Sequence, residues 1–169
     1  VSLCTAPREV ASQWVFGRPI GGHEPIDWEN ARYIVLIGHH IGEDTHNTQL
    51  QDFALALKNG AKVVVVDPRF STAAAKAHRW LPIKPGTDTA LLLAWIHVLI
   101  YEDLYDKEYV AKYTVGFEEL KAHVKDFTPG WAEKHTEIPA QVIREGAREI
   151  AAASLPAYSM RDSRSRIRL

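Results

Sequence analysis

Two short apolar runs in the first half of the chain predict the strands of a parallel β-sheet. Residues 33–37 form a run of five apolar, mostly β-branched side chains, and residues 63–66 are four consecutive valines. Uninterrupted runs of this length are typical of strands that are buried on both faces. Between them, residues 48–58 place apolar side chains at helical spacing, and Asn59 and Gly60 form a helix stop. The order strand, helix, strand predicts a βαβ unit with a right-handed crossover.

The second half of the chain is predicted to be mainly helical. A short apolar run at residues 80–83 predicts a third strand, which Pro82 would confine to an edge of the sheet or to an irregular segment. Thr87 is a candidate N-cap for the helix that follows this run. The predicted helices are residues 88–102, 106–112, 117–124 and 140–153. Together these elements predict an α/β fold with a parallel sheet and flanking helices.

The composition fits one globular domain and excludes several classes of protein. The 169 residues are 46% hydrophobic and 24% charged, which is ordinary for a core-forming chain and excludes a disordered or collagen-like one. The longest mostly apolar stretch, residues 90–101, is shorter than the roughly 20 residues that span a bilayer. The single cysteine, Cys4, excludes an internal disulfide and a four-cysteine metal site within this chain.

The end of the chain differs in charge from the rest. The net charge is −1, but the last eleven residues hold four arginines against one aspartate, so that segment alone carries about +3. A basic end can touch nucleic acid or anionic lipid, yet a polar tail without a packed element is more often disordered. We therefore expect residues 158–169 to form a separate basic tail and expect no nucleic-acid partner. Because the chain starts at Val1 without a methionine, we also expect it to be a piece of a longer polypeptide rather than a processed product.

The ends of the two predicted strands carry the candidate chemistry. Ligands of open α/β sheets bind beyond the carboxyl ends of the strands, which here are residues 38–43 and residues 67–69. Asp67 stands where dinucleotide-binding folds accept hydrogen bonds from ribose or base. The chain has no GxGxxG and no GxxxxGK(S/T) motif, which disfavours ordinary NAD binding and P-loop phosphate binding. In the alternative interpretation, Asp67 caps a turn and Arg69 is a solvated surface charge.

Histidines and the lone cysteine allow further interpretations. His39, His40 and His46 lie within eight residues, so a zinc site is a possible interpretation. We do not favour it, because adjacent histidines usually point in different directions and no HExxH motif occurs. His97, on the apolar face of a predicted helix, is interpreted as a hydrogen-bonded core or interface histidine. Taken alone, Cys4 would be a small buried hydrophobe.

Four segments, in this order and spacing, carry a family resemblance. They are residues 2–7 around Cys4, the turn at residues 38–43, residues 64–69 with Asp-Pro-Arg, and residues 85–91 with Pro-Gly-Thr-Asp. Together they resemble the molybdopterin oxidoreductases of the dimethyl sulfoxide reductase family, up to about Ala153. Residues 105–117 are most similar to the catalytic subunits of polysulfide and thiosulfate reductases within that family. The resemblance implies a Rossmann-like sheet and a molybdopterin oxidoreductase domain at residues 1–157, of which this chain is the cofactor-binding α/β part.

The resemblance also implies roles for individual residues. Cys4 would be the catalytic thiolate ligand of molybdenum, and the other sulfur ligands would come from two molybdopterin guanine dinucleotides. A deprotonated sulfur is a suitable donor for a soft metal. Asp67 and Asp88 would accept hydrogen bonds from guanosine groups, and Arg69 would face a phosphate. The implied cofactor-binding residues are Gly38, His40, Glu43, Asp67, Arg69, Gly86 and Asp88.

The sequence departs from the family pattern in three places. His40 stands where many members have asparagine, whose amide offers more hydrogen-bonding groups than an imidazole. No cysteine cluster for a 4Fe–4S centre precedes Cys4, so we expect that cluster in the parent protein and not on this chain. The domains that would enclose the substrate are also absent from this sequence, and residues 158–169 do not resemble the family.

The expected function is that of a molybdenum enzyme's large subunit. The resemblance implies two-electron reduction of polysulfide or thiosulfate at molybdenum, with an iron–sulfur subunit and a membrane anchor subunit as partners in the periplasm. The isolated chain is expected to be inactive. The alternatives are a tetrathionate, arsenate or selenate reductase, a formate dehydrogenase, or a non-catalytic module that binds guanine nucleotides.

Overall fold

The computed structural model describes residues 5–18, 27–43 and 49–154 of the chain. Cys4, His46 and the predicted tail at residues 158–169 therefore lie outside the described residues. The helices are α1 (Thr5–Phe16), α2 (Leu50–Lys58), α3 (Asp88–Tyr101), α4 (Lys107–Tyr113), α5 (Phe117–His123), α6 (Pro129–Thr136) and α7 (Ala140–Ser154). The strands are β1 (Tyr33–Ile37), β2 (Lys62–Val66) and β3 (Arg79–Leu81), and short 3-10 turns cover Ala74–Lys76 and Val124–Asp126.

The three strands form one parallel sheet in the order β1-β2-β3. Tyr33 pairs with Lys62 at one end of the β1–β2 ladder and Ile37 pairs with Val66 at the other. This confirms the predicted βαβ unit, with α2 connecting the two strands. The third strand is an edge strand and ends at Leu81, immediately before Pro82, because proline cannot donate a ladder hydrogen bond.

Each face of the sheet is covered by its own apolar cluster. On one face, Val64 and Val66 belong to the cluster that includes Leu91 and Trp95 of α3 and Ile143 of α7. On the other face, the cluster contains Ile34, Leu36, Val63, Val65 and Phe53 of α2. The central strand β2 is thus buried on both sides, as its uninterrupted valines predict. The fold is α/β, with helices on both faces of the sheet.

Two helices were not predicted, and one predicted cap is wrong. The hydrophobic pattern predicts no helix at α1 or at α6, although Thr128 and Pro129 form a standard start for α6. The Thr128 hydroxyl accepts a hydrogen bond from the Trp131 N–H at 3.2 Å. Thr87 precedes α3 but its side chain makes no capping hydrogen bond. Its hydroxyl donates instead to the carbonyl oxygen of Lys84 at 2.6 Å. This bond closes the turn that precedes α3.

Among the described residues, no helix is long and apolar enough to cross a bilayer.

Candidate functional site

The carboxyl ends of β1 and β2 meet at one edge of the sheet. The Gly38 N–H, which follows β1, donates to the Val66 carbonyl at 3.0 Å. The Asp67 N–H, which follows β2, donates to the Leu81 carbonyl at 3.1 Å, so all three strand ends are tied together. Gly38 has φ +57°, a left-handed conformation that favours glycine, and a Cβ there would meet open space. The chain therefore turns sharply at this edge and leaves room beside it.

Asp67 is the buried acid of this edge. It is only 3% exposed, and its Oδ1 accepts a hydrogen bond from the Arg69 N–H at 2.8 Å. Its carbonyl oxygen accepts from Trp80 Nε1 at 2.8 Å, which fixes the backbone against β3. Its Oδ2 lies 3.8 Å from His40 Nε2, beyond hydrogen-bond distance. Asp67 therefore closes a turn, as the alternative interpretation holds, and also keeps one oxygen able to accept a further donor.

A cluster of polar side chains connects the loops that follow β1 and β2. The Arg69 guanidinium donates through Nη2 to Glu43 Oε2, and the same Nη2 lies 3.0 Å from His40 Nδ1. The other carboxylate oxygen of Glu43 accepts from the Thr72 N–H. The backbone N–H of Thr72 and the Arg69 guanidinium lower the pKa of Glu43 to about 2. Glu43 is thus a stable anion between the two loops.

The sequence Ile41-Gly42-Glu43 explains how Glu43 reaches this position. Ile41 is only 1% exposed and anchors the loop in the core. Gly42 has φ +82°, and a Cβ on it would lie 3.0 Å from Leu50 Cδ1. A side chain at position 42 would therefore be strained and crowded. A buried anchor followed by a left-handed glycine turns the next side chain toward the loop after β2.

The third strand end contributes two further predicted residues but no contact to this cluster. Gly86 has φ +80° in the turn after β3, and a Cβ on it would also meet open space. Asp88 is the first residue of α3 and is partly buried. In the described part of the chain, its carboxylate makes no hydrogen bond or ion pair. The structure therefore groups Gly38, His40, Glu43, Asp67 and Arg69. It leaves Gly86, in the turn after β3, and Asp88, at the start of α3, outside this cluster.

Sequence reasoning missed two contributors to the site. Thr72 contributes chiefly through its backbone N–H, for which the sequence carries no signal, and its side chain adds a second hydrogen bond to Glu43. Trp80 could have been found, because an aromatic side chain on a short edge strand next to a strand-end acid is positioned to reach it. Its ring also packs edge-on against Phe70, with centroids 5.0 Å apart at 77°.

The remaining histidines have identifiable surroundings. His97 is partly buried, its Nδ1 lies 2.9 Å from the Val124 carbonyl, and its ring stacks on Tyr101. This confirms the interpretation of His97 as a hydrogen-bonded histidine of the helical layer. His40 lies beside Asp67 and Arg69, whereas His46 lies outside the described residues. Within the residues that are described, no three His, Cys, Asp or Glu side chains come together as a metal site.

The opposite edge of the sheet carries a pocket of about 390 Å³. It lies at the amino ends of β1 and β2, where Arg32, Tyr33, Lys62 and Glu149 contribute to its lining. This pocket is remote in the fold from the cluster around Asp67. We assign the candidate site to the carboxyl edge, because backbone turns, a buried acid and a guanidinium converge there, as in other open α/β sheets that bind ligands.

The comparison with known proteins decides the family. The family model for the molybdopterin oxidoreductases matches residues 2–160. The chain belongs to the molybdopterin oxidoreductase family. The chain is 40% identical over 153 residues to the thiosulfate reductase molybdopterin-containing subunit PhsA of Salmonella typhimurium, which covers 90% of this chain and 20% of that protein. Family membership implies a molybdenum–molybdopterin cofactor and confirms the predicted resemblance.

Other members of the molybdopterin oxidoreductase family are also similar to the chain. The acetylene hydratase of Syntrophotalea acetylenica is 38% identical over 127 residues, which are 75% of this chain and 17% of that protein. The solved structure of acetylene hydratase from Pelobacter acetylenicus superposes with a TM-score of 0.78 at 34% identity. That match covers 86% of this chain and 19% of the other. The chain thus spans about a fifth of the length of its relatives, and they carry names for different reactions.

Proposed function

We propose that this chain forms part of the surface that binds a molybdopterin guanine dinucleotide in the large subunit of a molybdenum enzyme. The observation that carries the proposal is the convergence of Asp67, Arg69, His40 and Glu43 at the carboxyl edge of the sheet. These groups suit a nucleotide: a buried carboxylate accepts N–H donors, and a guanidinium pairs with phosphate. Gly38 and Gly86, which have open space beside them, let the backbone approach such a ligand closely.

The other predicted residues take the following roles in this proposal. Asp88, at the start of α3, accepts from the N–H groups of a guanine base. Cys4, which precedes α1, is the thiolate ligand of molybdenum. When bound, the molybdenum cofactor supplies a centre that exchanges two electrons with a small substrate. The described residues bind and orient the nucleotide part of the cofactor, and residues 158–169 lie outside this domain.

For the substrate of the whole enzyme, we propose thiosulfate or polysulfide. The support is the 40% identity to a thiosulfate reductase subunit across 90% of this chain. With this substrate we also propose an iron–sulfur subunit and a membrane anchor subunit as partners, a 4Fe–4S cluster elsewhere in the parent protein, and a periplasmic location. The isolated chain is inactive in this proposal, because it spans only about a fifth of the length of its relatives.

Nucleotide binding tests the first part of the proposal. Guanosine diphosphate is titrated into the 169-residue chain by isothermal calorimetry, with adenosine diphosphate for comparison. We expect Asp67→Ala and Asp88→Ala each to weaken guanosine diphosphate binding by about 1–3 kcal/mol, the cost of a lost hydrogen bond to a charged group. Asp126→Ala, in an exposed turn, is the matched control and leaves the affinity unchanged. Equal affinity in all four proteins would contradict the assigned site.

Two measurements on the complete enzyme test the metal and the substrate. X-ray absorption is expected to show one fewer sulfur neighbour of molybdenum after Cys4→Ser, and an unchanged count would remove Cys4 from the centre.

Turnover is measured with thiosulfate, polysulfide, tetrathionate, arsenate, selenate and formate on one preparation. If only tetrathionate, arsenate, selenate or formate is turned over, that compound takes the place of the proposed substrate. Guanine nucleotide binding without any turnover would support a non-catalytic module instead.

A further inference from the structure

Glu43 uses both of its carboxylate oxygens within the protein. Oε2 accepts from the Arg69 guanidinium, and Oε1 accepts from the Thr72 N–H. Its neighbours are therefore the Arg69 guanidinium and the turn at Thr72, both in the loop after β2. A second anion, such as a phosphate, would be repelled by the negative charge that Glu43 carries. Glu43 is thus poorly suited to contact a phosphate-bearing ligand directly.

Arg69 is placed differently. Its side chain is 59% exposed, and its contacts with Glu43 and His40 both involve Nη2. In the described residues, Nε and Nη1 donate to no protein acceptor. A guanidinium has five N–H donors, so the N–H groups on Nε and Nη1 remain able to donate to phosphate oxygens. Because the guanidinium is planar and rigid, holding Nη2 fixes the directions in which the Nε and Nη1 donors point.

We propose that Glu43 is a positioning residue, which orients the Arg69 guanidinium and the turn at Thr72 for a phosphate-bearing ligand without touching that ligand. The inference rests on the proposed function and changes the role of one residue in it, from cofactor contact to support. The backbone before Glu43 fits this role, since the buried Ile41 and the left-handed Gly42 leave it little conformational freedom. Pre-orientation of a long side chain improves affinity by removing an entropic cost of binding.

A double-mutant cycle distinguishes positioning of Arg69 by Glu43 from a direct contact between Glu43 and the ligand. The probe is guanosine diphosphate, titrated into the 169-residue chain and into the variants Glu43→Gln, Arg69→Gln and the double variant. We expect Glu43→Gln to weaken binding about tenfold when Arg69 is present, the size of one charge-assisted hydrogen bond, and less than about twofold when Arg69 is already replaced. Glu118→Gln, at an exposed position of α5, is the matched control. Equal losses in both backgrounds would overturn the proposal, because a direct contact does not act through Arg69.

A second readout does not depend on the ligand. Amide hydrogen exchange at Thr72 is measured in the ligand-free chain, where the Glu43 carboxylate should protect this N–H. We expect faster exchange in Glu43→Gln and unchanged exchange in Glu118→Gln. Unchanged exchange in both variants would overturn the proposal that Glu43 holds the turn at Thr72. Failure of the wild-type chain to bind guanosine diphosphate would count against the proposed function, whereas the Thr72 exchange would still decide whether Glu43 holds the loop.

Discussion

A buried carboxylate with spare hydrogen-bonding capacity is the central residue of the candidate site. Asp67 is almost fully buried, yet only Oδ1 accepts a hydrogen bond within 3.5 Å among the described residues. Burying a charged group is costly unless its partners compensate for the lost water. The Arg69 N–H supplies part of this compensation. A ligand N–H donor at Oδ2 would supply more, which is the physical reason to place a base or ribose there.

The acid sensitivity of the two-loop cluster follows from Glu43. Its pKa falls from the ordinary value of 4.5 to about 2, so its contribution to stability is present above pH 4.5 and is lost as the pH falls toward 2. We expect the urea midpoint of the wild-type chain to fall more steeply across this window than that of Glu43→Gln, which has no carboxyl to protonate at position 43. Parallel pH profiles of the two proteins would show that the contacts of Glu43 do not stabilise the fold.

Sequence reasoning located the residues of the site but not their pairing. Asp67 and Arg69 were predictable because strand ends of a parallel sheet gather at one edge. The contact between Glu43 and Arg69 was not, because it depends on the left-handed turn at Gly42 and on side-chain rotamers that no periodicity encodes. Thr72 was beyond reach for the same reason, since its contribution is chiefly a backbone N–H.

At the scale of elements, strands were easier to predict than helices with weak patterns. The apolar runs of β1 and β2 are typical of strands. By contrast, the segment that starts α6 is Thr128, Pro129 and Gly130, and these residues are also typical of a loop. The ambiguity arises because the same residues that break a helix also start one. What decides it is tertiary packing, since Ala132 of α6 is fully buried in the cluster with α3 and α7.

The start of α6 depends on one hydroxyl. Replacing Thr128 by alanine removes the oxygen that accepts from the Trp131 N–H, and we expect a loss of about 1 kcal/mol in the free energy of unfolding. Thr128→Ser keeps an oxygen in place and is expected to retain most of the stability. Chemical denaturation of both variants checks this, and an equal loss in the two would mean that the methyl group, not the cap, is what matters.

Two neighbouring leucines of α3 test which face of that helix supports the sheet. Leu91 is 0% exposed and belongs to the cluster around Val64 and Trp95, whereas Leu92 is 40% exposed. We expect Leu91→Ala to cost about 2–5 kcal/mol, through lost burial and the cavity it leaves, and Leu92→Ala to cost less than about 1 kcal/mol. Equilibrium unfolding in urea measures both, and similar costs would contradict the burial of Leu91.

At the scale of the whole molecule, a polar network ties the last helix to the amino edge of the sheet. The Tyr33 hydroxyl donates to Glu149 Oε2 at 2.9 Å, and His78 Nε2 lies 3.3 Å from the same oxygen. Arg79 contacts both Glu149 and Glu145 of α7. Burial acts to raise the pKa of Glu149, but the hydrogen bonds from Tyr33 and His78 and the charge of Arg79 outweigh it and lower that pKa.

The same network predicts alkaline sensitivity. Burial, followed by the hydrogen bond to Glu149, raises the pKa of Tyr33 above its ordinary value of 10.0, so the stability it contributes is present below pH 10 and is lost as the pH rises further. We expect Tyr33→Phe to be about 1 kcal/mol less stable than wild type at pH 7, with the difference shrinking above pH 10. Tyr113→Phe, at an exposed position, serves as the control. A constant difference from pH 7 to pH 11 would exclude Tyr33 ionisation as the cause.

The spacing of these contacts along the chain also has a kinetic consequence. Tyr33 pairs with Lys62 across about 30 residues, whereas it meets Glu149 across 116. Closing the longer loop costs about 1.2 kcal/mol more in chain entropy, because each doubling of loop length adds about 0.6 kcal/mol. Folding is therefore expected to begin with the local strand pairing, which already assembles the turns at Gly38 and Asp67. A growing polypeptide would thus have the turns at Gly38 and Asp67 in place before α7 leaves the ribosome.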